Sequence, residues 1–177
     1  MRKTLQVMMM AATLSGMTVG IASAQAKDAW LTAKTKIALM TTDDLHTSSL
    51  NVDTVDGVVT LHGKVPNEPE KSRAEQVARG IEGVKAVKNL LQVVPSTQEN
   101  AVEAADDAVK DSVERAFRTN QAVAKSGIKV SSVNKGVVLL SGSTDDIVTH
   151  LQAIEAAYAV KGVRRVSSEV TVKERSQ

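Results

Sequence analysis

The 177-residue chain has no cysteine, and its aromatic content is limited to Trp30, Phe117 and Tyr158. Without thiols there can be no disulfide staple, thiolate metal site, cysteine nucleophile or lipid attached at a cysteine. A surplus of charge is also missing, since 22 Lys and Arg stand against 20 Asp and Glu. Two of the basic residues, Arg2 and Lys3, lie in a leader expected to be removed, which leaves the working chain balanced. Nucleic-acid binding needs clustered cations that displace counterions from phosphates, so the composition gives it no support. Spanning a bilayer takes about 20 predominantly apolar residues. The one uncharged run, Leu5 to Ile21, is diluted by Thr13, Ser15, Gly16, Thr18 and Gly20.

That run follows the positive start Met1-Arg2-Lys3 and precedes two overlapping small-x-small sites, Ala22-Ser23-Ala24 and Ala24-Gln25-Ala26. Together these are the three parts of a secretory signal. The expectation is a cleavable signal peptide over residues 1–26, cut after Ala24 or Ala26, and a periplasmic mature protein.

The remaining chain is one pattern written twice. Gly57-Val-Val-Thr-Leu-His-Gly63 aligns with Gly136-Val-Val-Leu-Leu-Ser-Gly142 at an offset of 79, which also carries Gly83-Val84 onto Gly162-Val163 and Val87 onto Val166. Upstream, Leu50-x-Val52-x-x-Val55 matches Ile128-x-Val130-x-x-Val133 at an offset of 78. The extra residue of the second copy is therefore expected in its turn, Asn134-Lys135-Gly136. Repetition at this length reads as tandem domains rather than a solenoid. The expected boundaries are 27–94 for the first domain, 95–100 for a linker, 101–173 for the second domain and 174–177 for a tail.

Each copy opens on a helical pattern, clearest where Val102, Ala105, Val109, Val113 and Ala116 recur at three- and four-residue spacing. Asn100 and Glu103 suggest a capping box for it. Two Val- and Leu-rich runs joined by Asp56-Gly57 or Asn134-Lys135-Gly136 predict an antiparallel hairpin. Asn67-Glu68-Pro69-Glu70 starts a second helix with the apolar stripe Ala74, Val77, Ala78 and Ile81, and Ile147, Leu151, Ile154 and Tyr158 form the corresponding stripe in the other copy. Val87–Val94 and Val166–Val172 close the units as strands parallel to the second strand. The predicted fold is α+β, two tandem αββαβ two-layer sandwiches, each with one sheet face and its edges partly open.

The glycines have structural assignments: Gly57 and Gly136 in the turns, Gly63 and Gly142 ending the second strand, Gly83 and Gly162 capping the helices. They are not clustered as a phosphate cradle requires. The D/N-G-x-V-x-L-x-G pattern at the hairpin and G-V-x-x-V before the last strand, in one order in both copies, resemble the BON domain family. The resemblance covers essentially all of the chain after the leader. It implies a non-enzymatic envelope protein associated with osmotic or envelope stress, without a cofactor, that contacts anionic phospholipid surfaces or other envelope proteins. A chaperone-like hold on unfolded or exported polypeptides is the alternative. Family members that are outer-membrane lipoproteins carry an attachment cysteine, and this sequence has none.

The residues themselves offer little chemistry. His46, His62 and His150 have no metal-ligand spacing and read as surface residues, His62 facing solvent where the other copy has Ser141. No G-x-S-x-G elbow exists. Lipid or partner contact is the remaining candidate, through Trp30 and Ile37 on a flank of the first helix and through Arg115, Arg118, Arg164 and Arg165. The usual burial of tryptophan favours the other placement, with Trp30 completing a core poor in aromatics.

Overall fold

The computed structural model describes residues 19–173, with side chains from Ala24 onward; most of the expected leader and the 174–177 tail lie outside the described residues. The first unit comprises α1 (Val19–Met40), β1 (Leu50–Val55), β2 (Val58–Val65), α2 (Glu68–Arg79), β3 (Ala86–Asn89) and β4 (Gln92–Val93). After a 3-10 turn at Ser96–Gln98 the order repeats as α3 (Glu99–Thr119), a short α4 (Gln121–Lys125), β5 (Lys129–Asn134), β6 (Val137–Ser141), β7 (Ser143–Thr144), α5 (Ile147–Tyr158), β8 (Arg165–Ser168) and β9 (Thr171–Val172). This is the α+β fold with two αββαβ units that the repeat predicts. α1 runs unbroken through both expected cut positions.

In each unit the first two strands are antiparallel and the third is parallel to the second. Both hairpins turn on two residues of positive φ, Asp56-Gly57 and Lys135-Gly136, the geometry of a type I′ turn. The extra residue of the second copy is therefore not in the turn. Val130 pairs with Leu140 and Ser132 with Leu139, so a β-bulge at Ser131 absorbs it. The final strand is also broken in both copies, with β4 pairing β2 and β9 pairing β7 beyond the break.

Several expected helix signals are displaced. α3 starts at Glu99, and its N-cap Gln98 makes no side-chain bond, so Asn100 and Glu103 form no capping box. Asn67 does cap α2, accepting from Glu70 N at 2.9 Å. α2 and α5 end at Arg79 and Tyr158, ahead of Gly83 and Gly162. Those glycines lie in the following turn, where each comes against the first helix of its unit, Gly83 at Leu31 and Gly162 at Val109. Gly63 does not end its strand but lies within β2 at φ +116°, and Gly142 separates β6 from β7 at φ +107°. A Cβ at either position would overlap a backbone carbonyl, that of Ser49 or Gly127.

Two separate apolar cores result. Leu39, Val52, Val59, Leu61, Val65, Ala74, Ala78 and Leu91 pack in the first unit, and Val113, Phe117, Val123, Ile128, Val130, Val133, Val138, Leu140, Ala153 and Ala157 in the second. The α3 stripe holds at Val113, fully buried, and at Val109 packed on the core, but Asp106 is buried where Ala105 is exposed. In α5 the inward residues are Thr149, Ala153 and Ala157; of the expected stripe Ile154 packs half-buried against the core, while Ile147, Leu151 and Tyr158 face outward. Small residues are needed there because the helix lies close to the sheet.

The far faces of the two sheets are not open. Side chains alternate along a strand, so β2 and β6 should show every second residue to water. Both are instead buried nearly throughout. Thr60 and His62 on the first sheet and Leu139 on the second, which is 1% exposed, belong to neither helix-backed core. Each sheet covers the other, giving the layer order helices, sheet, sheet, helices.

Candidate functional site

In each unit an aspartate on the first helix holds the hairpin. Asp28 accepts from Asp56 N and Gly57 N, both at 2.8 Å. Asp106, buried, accepts from Gly136 N at 3.2 Å. The pair recurs at the 78-residue offset, the one signal in the sequence that could have marked it.

The junction between the sheets carries a polar cluster beside Leu139. His62, 6% exposed, bonds Asp53 across 3.0 Å from Nε2, and a carboxylate can only accept, so this nitrogen carries the proton. The second domain covers His62, and so it is not the solvent-facing residue its strand position suggests. Ser131 donates to the same Asp53 oxygen at 3.4 Å. The bulge residue of the second copy thus reaches the first sheet. Lys64 Nζ lies 3.7 Å from Asp106 Oδ2, Lys135 Nζ donates to the Val93 carbonyl at 2.9 Å, and Ser49 donates to Glu99 at 2.8 Å. The Asn134 amide, oriented with its oxygen toward donors, accepts from Gly63 N at 3.3 Å.

Ser131, His62 and Asp53 have the composition of a hydrolytic triad without its geometry. The serine and histidine both bond the aspartate, so no base reaches the hydroxyl. Beside them a cleft of about 830 Å³ opens between α1 and the second sheet, lined by Asp28, Thr32, Asp53, Lys129, Ser131 and Glu169 among others. The hydrogen bond from His62 holds the Asp53 carboxyl below its usual range, against the cost of partial burial, with the charges of His62 and Lys36 helping. Burial pushes the Glu169 carboxyl up, and the Asp53 charge adds to this while the Thr60 hydroxyl, Lys88 and His62 oppose it.

These shifts act on stability in opposite directions. The Asp53 contribution is present above the ordinary aspartate range and lost as pH falls through its lowered value. The Glu169 contribution is complete below the ordinary glutamate range and lost as pH rises through its raised value. Glu169→Gln is therefore expected to raise the thermal midpoint near neutral pH and to leave it unchanged in acid. Equal midpoints at neutral pH, measured by differential scanning calorimetry, would place Glu169 in water.

The other histidines are nearer the surface. His46 Nδ1 lies 3.1 Å from both Glu70 oxygens, and His150 Nε2 lies 2.8 Å from Ser168 Oγ. Among the described residues no group of three or more His, Asp or Glu could hold a metal. No described helix is long and apolar enough to cross a membrane.

Trp30 is 58% exposed, and Ile37 and Met40 beside it on α1 are exposed further. The inward side of the helix is taken by Leu31, Thr35 and Leu39. Lys34 Nζ lies 4.6 Å from the Trp30 ring centroid, a cation–π distance. Trp30 therefore does not complete the core. Arg115 and Arg118 are exposed on α3, where Arg115 donates to Ser112 at 2.8 Å and Arg118 lies 4.0 Å from Glu114. Arg164 and Arg165 are exposed at the hairpin end of the second unit, Arg164 reaching the Lys135 carbonyl at 3.4 Å. Asp106 marks that same end of α3, and Arg118 lies twelve residues further on, about 18 Å along the helix. The two arginine pairs therefore do not form one patch.

A hairpin pinned by an aspartate, a glycine pressed on a carbonyl and a helix-backed sheet, repeated in order, define a duplicated two-layer module. Residues 27–95 and 105–174 match the BON domain, and the chain belongs to that family. It is 33% identical over 148 residues to the osmotically-inducible protein Y of Escherichia coli, covering 82% of this chain and 73% of that one. It is 31% identical over 117 residues to the outer membrane lipoprotein DolP of Haemophilus influenzae, covering 66% of this chain and 59% of that relative's length. Among solved structures, the C-terminal domain of CdsD, a structural protein of the type III secretion system of Chlamydia trachomatis, aligns with 83% of this chain and 67% of its own at 13% identity and a TM-score of 0.32.

Proposed function

We propose that this is an exported, non-enzymatic protein of the bacterial envelope, serving under osmotic or envelope stress, that associates with anionic phospholipid surfaces through the outer flank of α1. The observation that carries the reading is the exposure of Trp30, Ile37 and Met40 along one side of a helix, with the Lys34 ammonium above the tryptophan ring. An interfacial helix sinks such a face to the headgroup level while its lysines meet lipid phosphates. Arg115 with Arg118, and Arg164 with Arg165, add two separate exposed cationic spots on the second unit. Support for the setting comes from the relatives, one named for osmotic induction and the other for the outer membrane, and from the secretory pattern of the first 26 residues.

The chain has one tryptophan, so its emission reports on the proposed contact directly. Vesicles containing phosphatidylglycerol at low salt are expected to shift Trp30 emission to the blue and to carry the protein up a flotation gradient. Neutral phosphatidylcholine vesicles should do neither. Trp30→Ser and Ile37→Asp are expected to reduce flotation at least several-fold. Protein that stays at the bottom with anionic vesicles, or a Trp30→Ser variant that floats like the parent, would overturn the reading.

A further inference from the structure

α2 and α5 hold the same place in the two repeats, both run twelve residues, and Glu68 corresponds to Ile147 at the 79-residue offset. Their inward positions agree, Ala74 with Ala153 and Ala78 with Ala157, all fully buried. Their outward positions do not. Where α2 carries Glu68, Pro69, Ser72 and Arg79, α5 carries Ile147, Val148, Leu151 and Tyr158, each more than half exposed. The fold therefore asks nothing apolar of this face, because the first repeat builds the same helix with a polar one. Half-buried Ile154 continues the stripe between Leu151 and Tyr158, where α2 has Glu75.

Charge decides what covers it. From Ile147 to Val160 there is no lysine or arginine, so the face lacks the cations along its length that an anionic membrane would meet. Its ends carry opposite signs: the exposed Asp145 side chain, loosely paired with Lys173 at 3.6 Å, precedes the helix, and exposed Lys161, Arg164 and Arg165 follow it. The one carboxylate along the helix, exposed Glu155, flanks the apolar stripe. A helix with an acidic start, an apolar stripe and a basic finish is complementary to itself turned end for end, which is the requirement of an isologous two-fold contact.

We propose that α5 is a self-association surface, pairing antiparallel with α5 of a second copy of this chain. The two-fold axis falls between Leu151 and Ile154. It sets Ile147 opposite Tyr158 of the second copy and brings Asp145 toward the cationic segment beyond the other helix. One helix face per chain buries less than the roughly 1,200–2,000 Å² of stable interfaces, so the dimer forms and dissociates with concentration. This surface lies on the opposite unit from α1, and its crosslinking and sedimentation tests need no lipid.

The absence of cysteine makes the test direct, because a single introduced thiol is the only one present. Under mild oxidation Leu151→Cys is expected to form a covalent dimer several-fold faster than Ser72→Cys, the matching position on α2. A mixture of Ile147→Cys and Tyr158→Cys should crosslink as the mixed pair in preference to Ile147→Cys with itself, whose positions would lie about 16 Å apart along the axis. In sedimentation velocity the parent should move from monomer toward dimer over two decades of concentration. Leu151→Ser, which copies α2, should stay monomeric with unchanged circular dichroism. A parent that is monomeric throughout, equal rates for Leu151→Cys and Ser72→Cys, or self-crosslinking of Ile147→Cys matching the mixed pair would each overturn the proposal. So would a monomeric parent whose flotation with phosphatidylglycerol vesicles is lost in Leu151→Ser, which would give the face to the membrane.

Discussion

Valine at position 142 is expected to lower the stability of the second unit by about 3 kcal/mol or more, seen as a fall in the urea midpoint with little change in slope. Two effects combine. Gly142 has φ +107°, a backbone conformation effectively closed to residues with a Cβ. An added Cβ would also run into the Gly127 carbonyl, whose own N–H donates to Ser143 O at 3.0 Å, so relief means breaking the link between the start of β5 and β7. Lys135 provides the contrast. Its φ of 52° lies in the left-handed region that side chains tolerate, and Lys135→Gly should change stability by no more than about 1 kcal/mol. A Gly142→Val midpoint within error of the parent would mean that the strand does not approach Gly127 as closely as described.

Leu139→Ala should cost about 3 kcal/mol, close to the cost of Leu140→Ala one residue along. Leu140 faces the helices and belongs to the second core, whereas Leu139 faces the first domain and belongs to no helix-backed cluster. If the units were independent, Leu139 would be in water and its truncation would cost only a few tenths of a kcal/mol. Differential scanning calorimetry reads both quantities. The parent should melt in one transition and Leu139→Ala in a broader or split one, because the truncated residue joins the two units. A Leu139→Ala variant with parental stability would remove the stacked-sheet arrangement.

The duplication carried most of the fold. Identical glycines and hairpin residues at fixed offsets place the strands, and Asn67 with Glu70 marks the start of α2. Periodicity then failed in an instructive way at α5. It finds the stripe Ile147, Leu151, Ile154, Tyr158 but cannot say which side of the helix faces the sheet, and of these large apolar residues only Ile154 reaches the core. The answer lay in the small residues shared by both copies, Ala74 with Ala153 and Ala78 with Ala157. Turns tolerate insertion, so the sequence places the extra residue there, yet Asn134 pairs with Val137 and the ladder yields at Ser131 instead. Trp30 and His62 changed places relative to expectation: the residue type usually buried lies on the surface, and the one usually wet is covered. A neighbouring domain hides His62, which no local pattern reads, whereas the flank position of Trp30 beside inward Leu31 is legible and only its residue type argues for burial.

The stacked faces are unlike. One presents Asp53, Thr60 and His62, and the other Val137, Leu139 and Ser131, a residue that exists only because of the bulge. The two modules are therefore not interchangeable parts despite their common ancestry in sequence. A chain assembled from two copies of the second module would set leucine against leucine with no carboxylate to receive Ser131, and two copies of the first would bury two histidine–aspartate pairs against each other.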